Sequence, residues 1–531
     1  MRRLLPIAIA SALLLNCGAR GSSQRASGGA VGSHGGGAGG TSSAGGVTGS
    51  GGASGAGGTK GSGGTSGAGG TSSSGGASGA GGTKGSGGTS GAGGAGGSGG
   101  SRNGGATGSG GASGSGGTTG AGGVTGKGGT TAAGGTTSGS GGTSASGGSS
   151  GSETNTVETV VDHGPQNISY VNGLFVTVTL CKPGTSTCQS IEHVLVDTGS
   201  SGLRVLESAI TLSLPAVNNT SGNPLGACTQ FVDGTAWGPI LSADVKINGE
   251  TAAAIPIQAI GEKAYPMPTS GTCSSGQAIT DLQSLMANGI MGVGIYKQDC
   301  GTACTQTRQN PGMYFACTSN KAGGCKTAAV PLDSQVGNPI AKFPVNNNGI
   351  IIQLPSVPAG GLASTTGKLT FGIGTQSNNG LGSATVLTPV DVYGNVGTTF
   401  PVGGTKYTGF LDSGTNTYTF LNSATSGLSL CTSAGMSSFY CPKTATSLSA
   451  TVFGGNNESA LVDFSIANPS KISATIFVLG NLGTEMPGFP SSGTSSMPDF
   501  LWGLPFFFGR TVFTAIEEED TPGGQGPYVA F

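Results

Sequence analysis

The chain has little charge and almost no histidine: only 8% of its 531 residues are charged, three are His, and none of its 23 acidic residues precedes Glu153. His34 lies far upstream, and His163 and His193 both precede the first acidic motif described below, so no Ser-His-Asp or Cys-His set is apparent. Basic residues are as sparse. Beyond residue 152, 14 Lys and Arg face all 23 Asp and Glu, a formal charge of −9, and this acidic part lacks the basic patch that nucleic-acid binding needs. Long apolar runs are missing too, since Leu4 to Leu15 is too short to span a bilayer and no other segment comes nearer.

What stands at the start is a leader. Arg2 and Arg3, the apolar Leu4–Leu15 stretch and Cys17 read as a bacterial lipoprotein signal over residues 1–17, with Cys17 lipidated. Asn16 departs from the small residue usual before such a cysteine, and the rival reading is an ordinary secretory peptide cut nearby. Gly18 resembles the pattern sent to the outer membrane of Gram-negative bacteria. The expected location is therefore an outer-membrane anchor or the extracellular space. Residues 18–152 are almost entirely Gly, Ser, Thr and Ala, and Ala53–Gly70 recurs word for word as Ala77–Gly94. Such a segment buries nothing to offset the entropy of ordering, so it is expected to be a disordered tether with a reach of roughly 60–70 Å.

Composition shifts sharply at Glu153. The remaining 379 residues exceed what one core usually supports, so two lobes are expected, 153–365 and 366–531. The fold class is mostly β. Gly173–Leu180, Ser242–Gly249 and Gly367–Gly374 read as strands, and Thr280–Ala287 as a short helix. Eleven cysteines less Cys17 leave ten, compatible with five disulfides in an exported chain. Cys181 with Cys188 and Cys431 with Cys441 are close enough to bridge hairpin loops, while the other six permit 15 pairings. The spacing of Cys300 and Cys304 also suits zinc.

Within this domain Val194-Leu195-Val196 runs into Asp197-Thr198-Gly199-Ser200, and 215 residues on Gly409-Phe410-Leu411 runs into Asp412-Ser413-Gly414-Thr415. Each stretch is a strand delivering a carboxylate to a tight turn. The pair resembles the pepsin-like aspartic proteases, bilobal enzymes in which each lobe contributes one such turn. Gly289-Ile290-Met291-Gly292 resembles the apolar-apolar-Gly segment that threads past the first turn as part of a psi-shaped loop. Phe500-Leu501-Trp502-Gly503, then Phe506-Phe507-Phe508, Thr511-Val512-Phe513 and Tyr528–Phe531 look like the closing elements of the second lobe. The resemblance covers most of residues 167–531. It implies a bilobal pepsin-like acid protease fold with Asp197 and Asp412 as catalytic residues. Thr198 and Ser413 would cross-link the turns, Ser200 and Thr415 would bond the outer carboxylate oxygens, and the backbone at Gly199 and Gly414 would donate to the carboxylates. The Asp-Thr-Gly-Ser-Ser-Gly-Leu-Arg variant also looks like an uncharacterised branch of exported bacterial proteins.

Departures accompany the matches. The family usually has Trp where this chain has Arg204, and a Tyr on the flap hairpin that closes over substrate; Phe231–Gly238 contains no Tyr. Phe231 and Trp237 are the candidates to cover the cleft in its place. Glu153–Gln166 is too short for a Lys-rich inhibitory propeptide. Glu517–Asp520 reads as a solvated turn before Pro522-Gly523-Gly524. Two functions stand. One is an aspartic endopeptidase acting on polypeptide as a monomer, without metal or cofactor and touching membrane only through its lipid. The other is a catalytically inactive module of the same fold, binding peptide or glycan.

Overall fold

The computed structural model describes residues 155–232, 234–261, 265–268, 273, 276–321, 323–489 and 498–531. Cys17 and the 18–152 tether lie outside them. The described part is mostly β, and each half of it is organised around the same three-strand device.

In the first half the strand Cys188–Asp197 runs parallel to Gly289–Val293, with Asp197 opposite Gly292. The chain turns at Asp197 and returns as Ser201–Leu206, antiparallel to Gly289–Val293 on its other side and parallel to Glu250–Ile260 beyond. The second half repeats this. Thr405–Leu411 is parallel to Phe500–Trp502, and Tyr418–Phe420 is antiparallel to Phe500–Trp502 and parallel to Gly483–Thr484. A middle strand threaded between the arms of a turn needs a residue without a side chain at the crossing. A Cβ on Gly292 would lie 2.7 Å from Ser200 Oγ and from the Ser201 backbone, closer than packed atoms come.

The halves share a floor. Thr156–Asp162 pairs with Gly173–Cys181 on one side and Thr365–Phe371 on the other, and the sheet continues through Gly349–Gln353, Thr511–Ala515 and Tyr528–Ala530. One apolar cluster spans both halves, from Val176 and Val196 to Phe464 and Trp502. Phe506, Phe507 and Phe508 are buried in it, so the run fills core. The expected 280–287 helix is one turn, Leu282–Leu285, its start fixed by a reciprocal cap between Asp281 and Ser284.

All ten cysteines of the domain pair: Cys181–Cys188, Cys228–Cys273, Cys300–Cys304, Cys317–Cys325 and Cys431–Cys441. The five expected bridges are present, and the rival zinc reading of Cys300 and Cys304 falls, because sulfurs bonded to each other are not thiolate ligands. Glu517–Asp520 is the expected turn, leading into the short hairpin of Asp520–Thr521 with Gly524–Gln525, with Glu518 and Asp520 exposed. Glu517 accepts the Lys297 backbone N–H at 3.1 Å and Glu519 meets the Lys297 ammonium at 2.6 Å, so the acidic run clamps the segment that follows the first psi loop.

Candidate active site

Each Asp turn is braced by its own backbone. The Gly199 N–H donates to Asp197 Oδ1 at 2.8 Å and Ser200 Oγ to Oδ2 at 2.5 Å. In the second turn the Gly414 N–H donates to Asp412 Oδ1 at 2.8 Å and Thr415 Oγ1 to Oδ2 at 2.7 Å. A carboxyl two residues before a turn N–H makes this ring readily, which is why Asp-x-Gly recurs in such turns.

The two turns then grip each other. Thr198 Oγ1 accepts from the Ser413 N–H at 2.9 Å and donates to Leu411 O at 2.9 Å. Ser413 Oγ accepts from the Thr198 N–H at 3.1 Å and donates to Val196 O at 2.8 Å. These four bonds, crossing 213 to 217 residues of sequence, bring the carboxyls of Asp197 and Asp412 into hydrogen-bond contact. A Cβ on Gly199 would lie 2.7 Å from Asp412 Cγ, so the approach requires glycine there. Both carboxyls are buried. Burial, and then the Asp412 charge, push the Asp197 carboxyl well above the usual carboxylate range, against the pull of the Ser200 hydroxyl. Two touching carboxylates cannot both ionise cheaply, so the pair holds a proton between them over a wide pH range.

All eight residues expected at the dyad are brought together; the expected covers are not free to act as such. Phe231, at the tip of the hairpin made by Leu225–Gln230 and Thr235–Ile247, is buried among Phe175, Tyr170 and Ile279. The Trp237 ring packs against Phe315 and the Cys228–Cys273 bridge, and its indole N–H donates to Tyr265 O at 2.8 Å. An aromatic ring is worth more buried there than spread on a solvent face.

Sequence reasoning marked Arg204 only as a departure. It is buried, and its guanidinium donates to Asp299 Oδ2 at 2.7 Å, Thr229 Oγ1 at 3.0 Å, and the carbonyls of Ser201 and Gly202 at 2.8 and 3.3 Å. Tyr314 Oη donates to Asp299 Oδ1 at 2.5 Å and accepts the Val336 N–H. Burial pushes the Asp299 carboxyl up to about 6, although Arg204 and Tyr314 pull the other way. No local pattern announces this network, because its side-chain partners Thr229 and Asp299 stand 25 and 95 residues from Arg204.

Residues 151–531 match the model of a family described as "Protein of unknown function (DUF3443)". The chain belongs to that family. No curated protein matches it in sequence. Among solved structures it is similar to an aspartic proteinase from Irpex lacteus, at 15% identity and a TM-score of 0.42, over 71% of this chain and 96% of that one.

Proposed function

We propose that this member of the family is an aspartic endopeptidase, exported and held at the cell surface through Cys17. One observation supports the reading above the rest: two carboxyls in contact, each with a matching backbone N–H and hydroxyl donor, on turns that grip one another symmetrically. The ionised member takes a proton from a water as its oxygen attacks the substrate carbonyl carbon, and the protonated member gives its proton to the carbonyl oxygen. The tetrahedral adduct then collapses. One carboxyl returns a proton to the leaving nitrogen, the other takes one from a hydroxyl, the C–N bond breaks, and the dyad is back in its starting state. No covalent intermediate is involved. The rate falls when both carboxyls are protonated and when both are ionised, giving a bell-shaped profile whose limbs belong to the pair.

The test is cleavage of an unfolded protein substrate by the full chain in acid, its block by a statine-type inhibitor, and its loss in Asp197→Asn and Asp412→Asn. A second reading, a peptide- or glycan-binding module, is favoured by the hairpin, which has no Tyr and whose aromatics are buried. It takes over if folded wild type and both variants are equally inert from about pH 2 to 7. For the anchor, wild type is expected in the detergent phase of cell fractions and Cys17→Ala in the aqueous phase. Like partitioning of the two overturns it.

A further inference from the structure

We propose that Arg204 is a positioning residue that latches the 225–247 hairpin to the first Asp turn. The inference rests on the reading of that hairpin as the cover of a peptide cleft.

Arg204 reaches the turn on one side. Its Nη1 holds the carbonyls of Ser201 and Gly202, the two residues that follow Ser200, and Ser200 Oγ is bonded to the Asp197 carboxyl. On the other side its Nε donates to Thr229 Oγ1, on the first strand of the hairpin. Thr229 Oγ1 donates to Gln258 Oε1 at 3.1 Å, and Gln258 Nε2 donates to Ala227 O at 2.7 Å and Ala236 O at 3.4 Å. Those carbonyls belong to the two strands of the hairpin, so one buried amide ties both to the guanidinium. Asp299 closes the ring. It fixes Nη2 and holds Tyr314, whose strand pairs with the hairpin at Tyr314 opposite Ala227.

A buried guanidinium is expensive unless every donor is used, and packed apolar residues usually stabilise a core as well as an ion pair does. Placement is what a purely structural role does not explain. Each of its four bonds goes to the Asp turn, to the hairpin, or to a carboxylate that braces the strand beside the hairpin. A planar fork with donors on three edges suits that job, and a lysine point charge does not.

Thr229→Val tests the latch without touching the charge pair, because it removes the hydroxyl between Arg204 and Gln258 at nearly constant volume. Amide hydrogen exchange in the full chain is expected to speed up about fivefold at residues 225–240 and stay unchanged at 405–420. In steady-state cleavage KM is expected to rise several-fold with kcat within about twofold, as for a loosened cover on intact chemistry. Unchanged exchange at the hairpin overturns the proposal. So does equal loosening throughout the first half, which marks Thr229 as plain core. Arg204→Lys, which keeps the charge and loses the fork, is expected to match Thr229→Val; wild-type exchange in that variant also overturns it. Exchange needs no turnover, so a chain that cleaves nothing refutes the protease reading and leaves the latch to be judged alone.

Discussion

The two halves place different chemistry in one frame. Arg204 and Thr419 each stand seven residues beyond their Asp. Arg204 is opposite Ile290 on the middle strand and Gln258 on the outer one, and Thr419 is opposite Leu501 and Thr484. In the first half this position anchors a buried ion pair. In the second, the hydroxyls of Thr417, Thr419 and Thr484 close a small ring at 2.7–2.8 Å, and beside it Trp502 stacks on Phe500 and Phe500 on Phe420, with centroids 4.4 and 4.7 Å apart. The bracing differs likewise. Four of the five disulfides lie in the first half and only Cys431–Cys441 in the second. The first half thus adds most of the covalent links and a buried ion pair to its apolar core, and the second adds stacked aromatic rings. The chemistry at their junction demands symmetry, but the cores behind it do not.

The largest expected effect lies where the halves are alike. Asp197→Asn and Asp412→Asn remove the shared proton from either side, so each is expected to lower kcat/KM by about 10⁴-fold or more while the fold persists. A variant that keeps a substantial rate would show that the dyad is functionally lopsided despite its matched donors.

Where the halves differ, smaller effects are expected. Trp502→Ala should cost about 3–5 kcal/mol, read as early protease cutting in the second half. Removing Cys228–Cys273, which closes a loop of 45 residues, should cost about 4 kcal/mol and open the first half instead. Cutting that begins in the same half for both variants would show that the two halves are not separately braced.

The frame was legible because it is repeated: two Asp turns, each with its apolar-apolar-Gly partner, state the same local geometry twice. An even cysteine count gave the number of bridges but not the pairing of the central six, since spacing does not fix which loops meet. A hairpin does stand at Phe231–Gly238, but the facing of Phe231 and Trp237 depends on Cys273, Tyr170 and Phe175, all distant in sequence. Arg204 was visible as a missing Trp, and its partners were not. A charge pair 95 residues apart leaves no periodicity to read. The Glu517 clamp on Lys297, 220 residues away, escaped for the same reason.

The smallest effect is a pH dependence that separates the ion-paired half from the aromatic one. Asp299 is pushed up to about 6 by burial, above its unfolded value, so its stabilising contribution is complete below about pH 4 and is lost as pH rises through about 6. Asp197, raised by burial and by Asp412, acts with the same sign, as does His193, raised by its hydrogen bond to Asp162. Asp162 opposes them only at low pH. Burial works against its ionisation, but the His193 and Gly164 bonds hold it low, and the stability it adds is lost once acid protonates it. The domain should therefore be most stable near pH 4–5 and weaken towards pH 7, with Asp299 supplying roughly 2–3 kcal/mol of that change. Asp299→Asn cannot titrate, so it should be less stable overall but flatter between pH 4 and 7, and the flattening should appear in first-half amides and not in the Phe500–Trp502 region. If the wild type instead gains stability from pH 4.5 to 7, then Arg204 outweighs burial at Asp299 and the buried pair is a fixed charge brace across the working range.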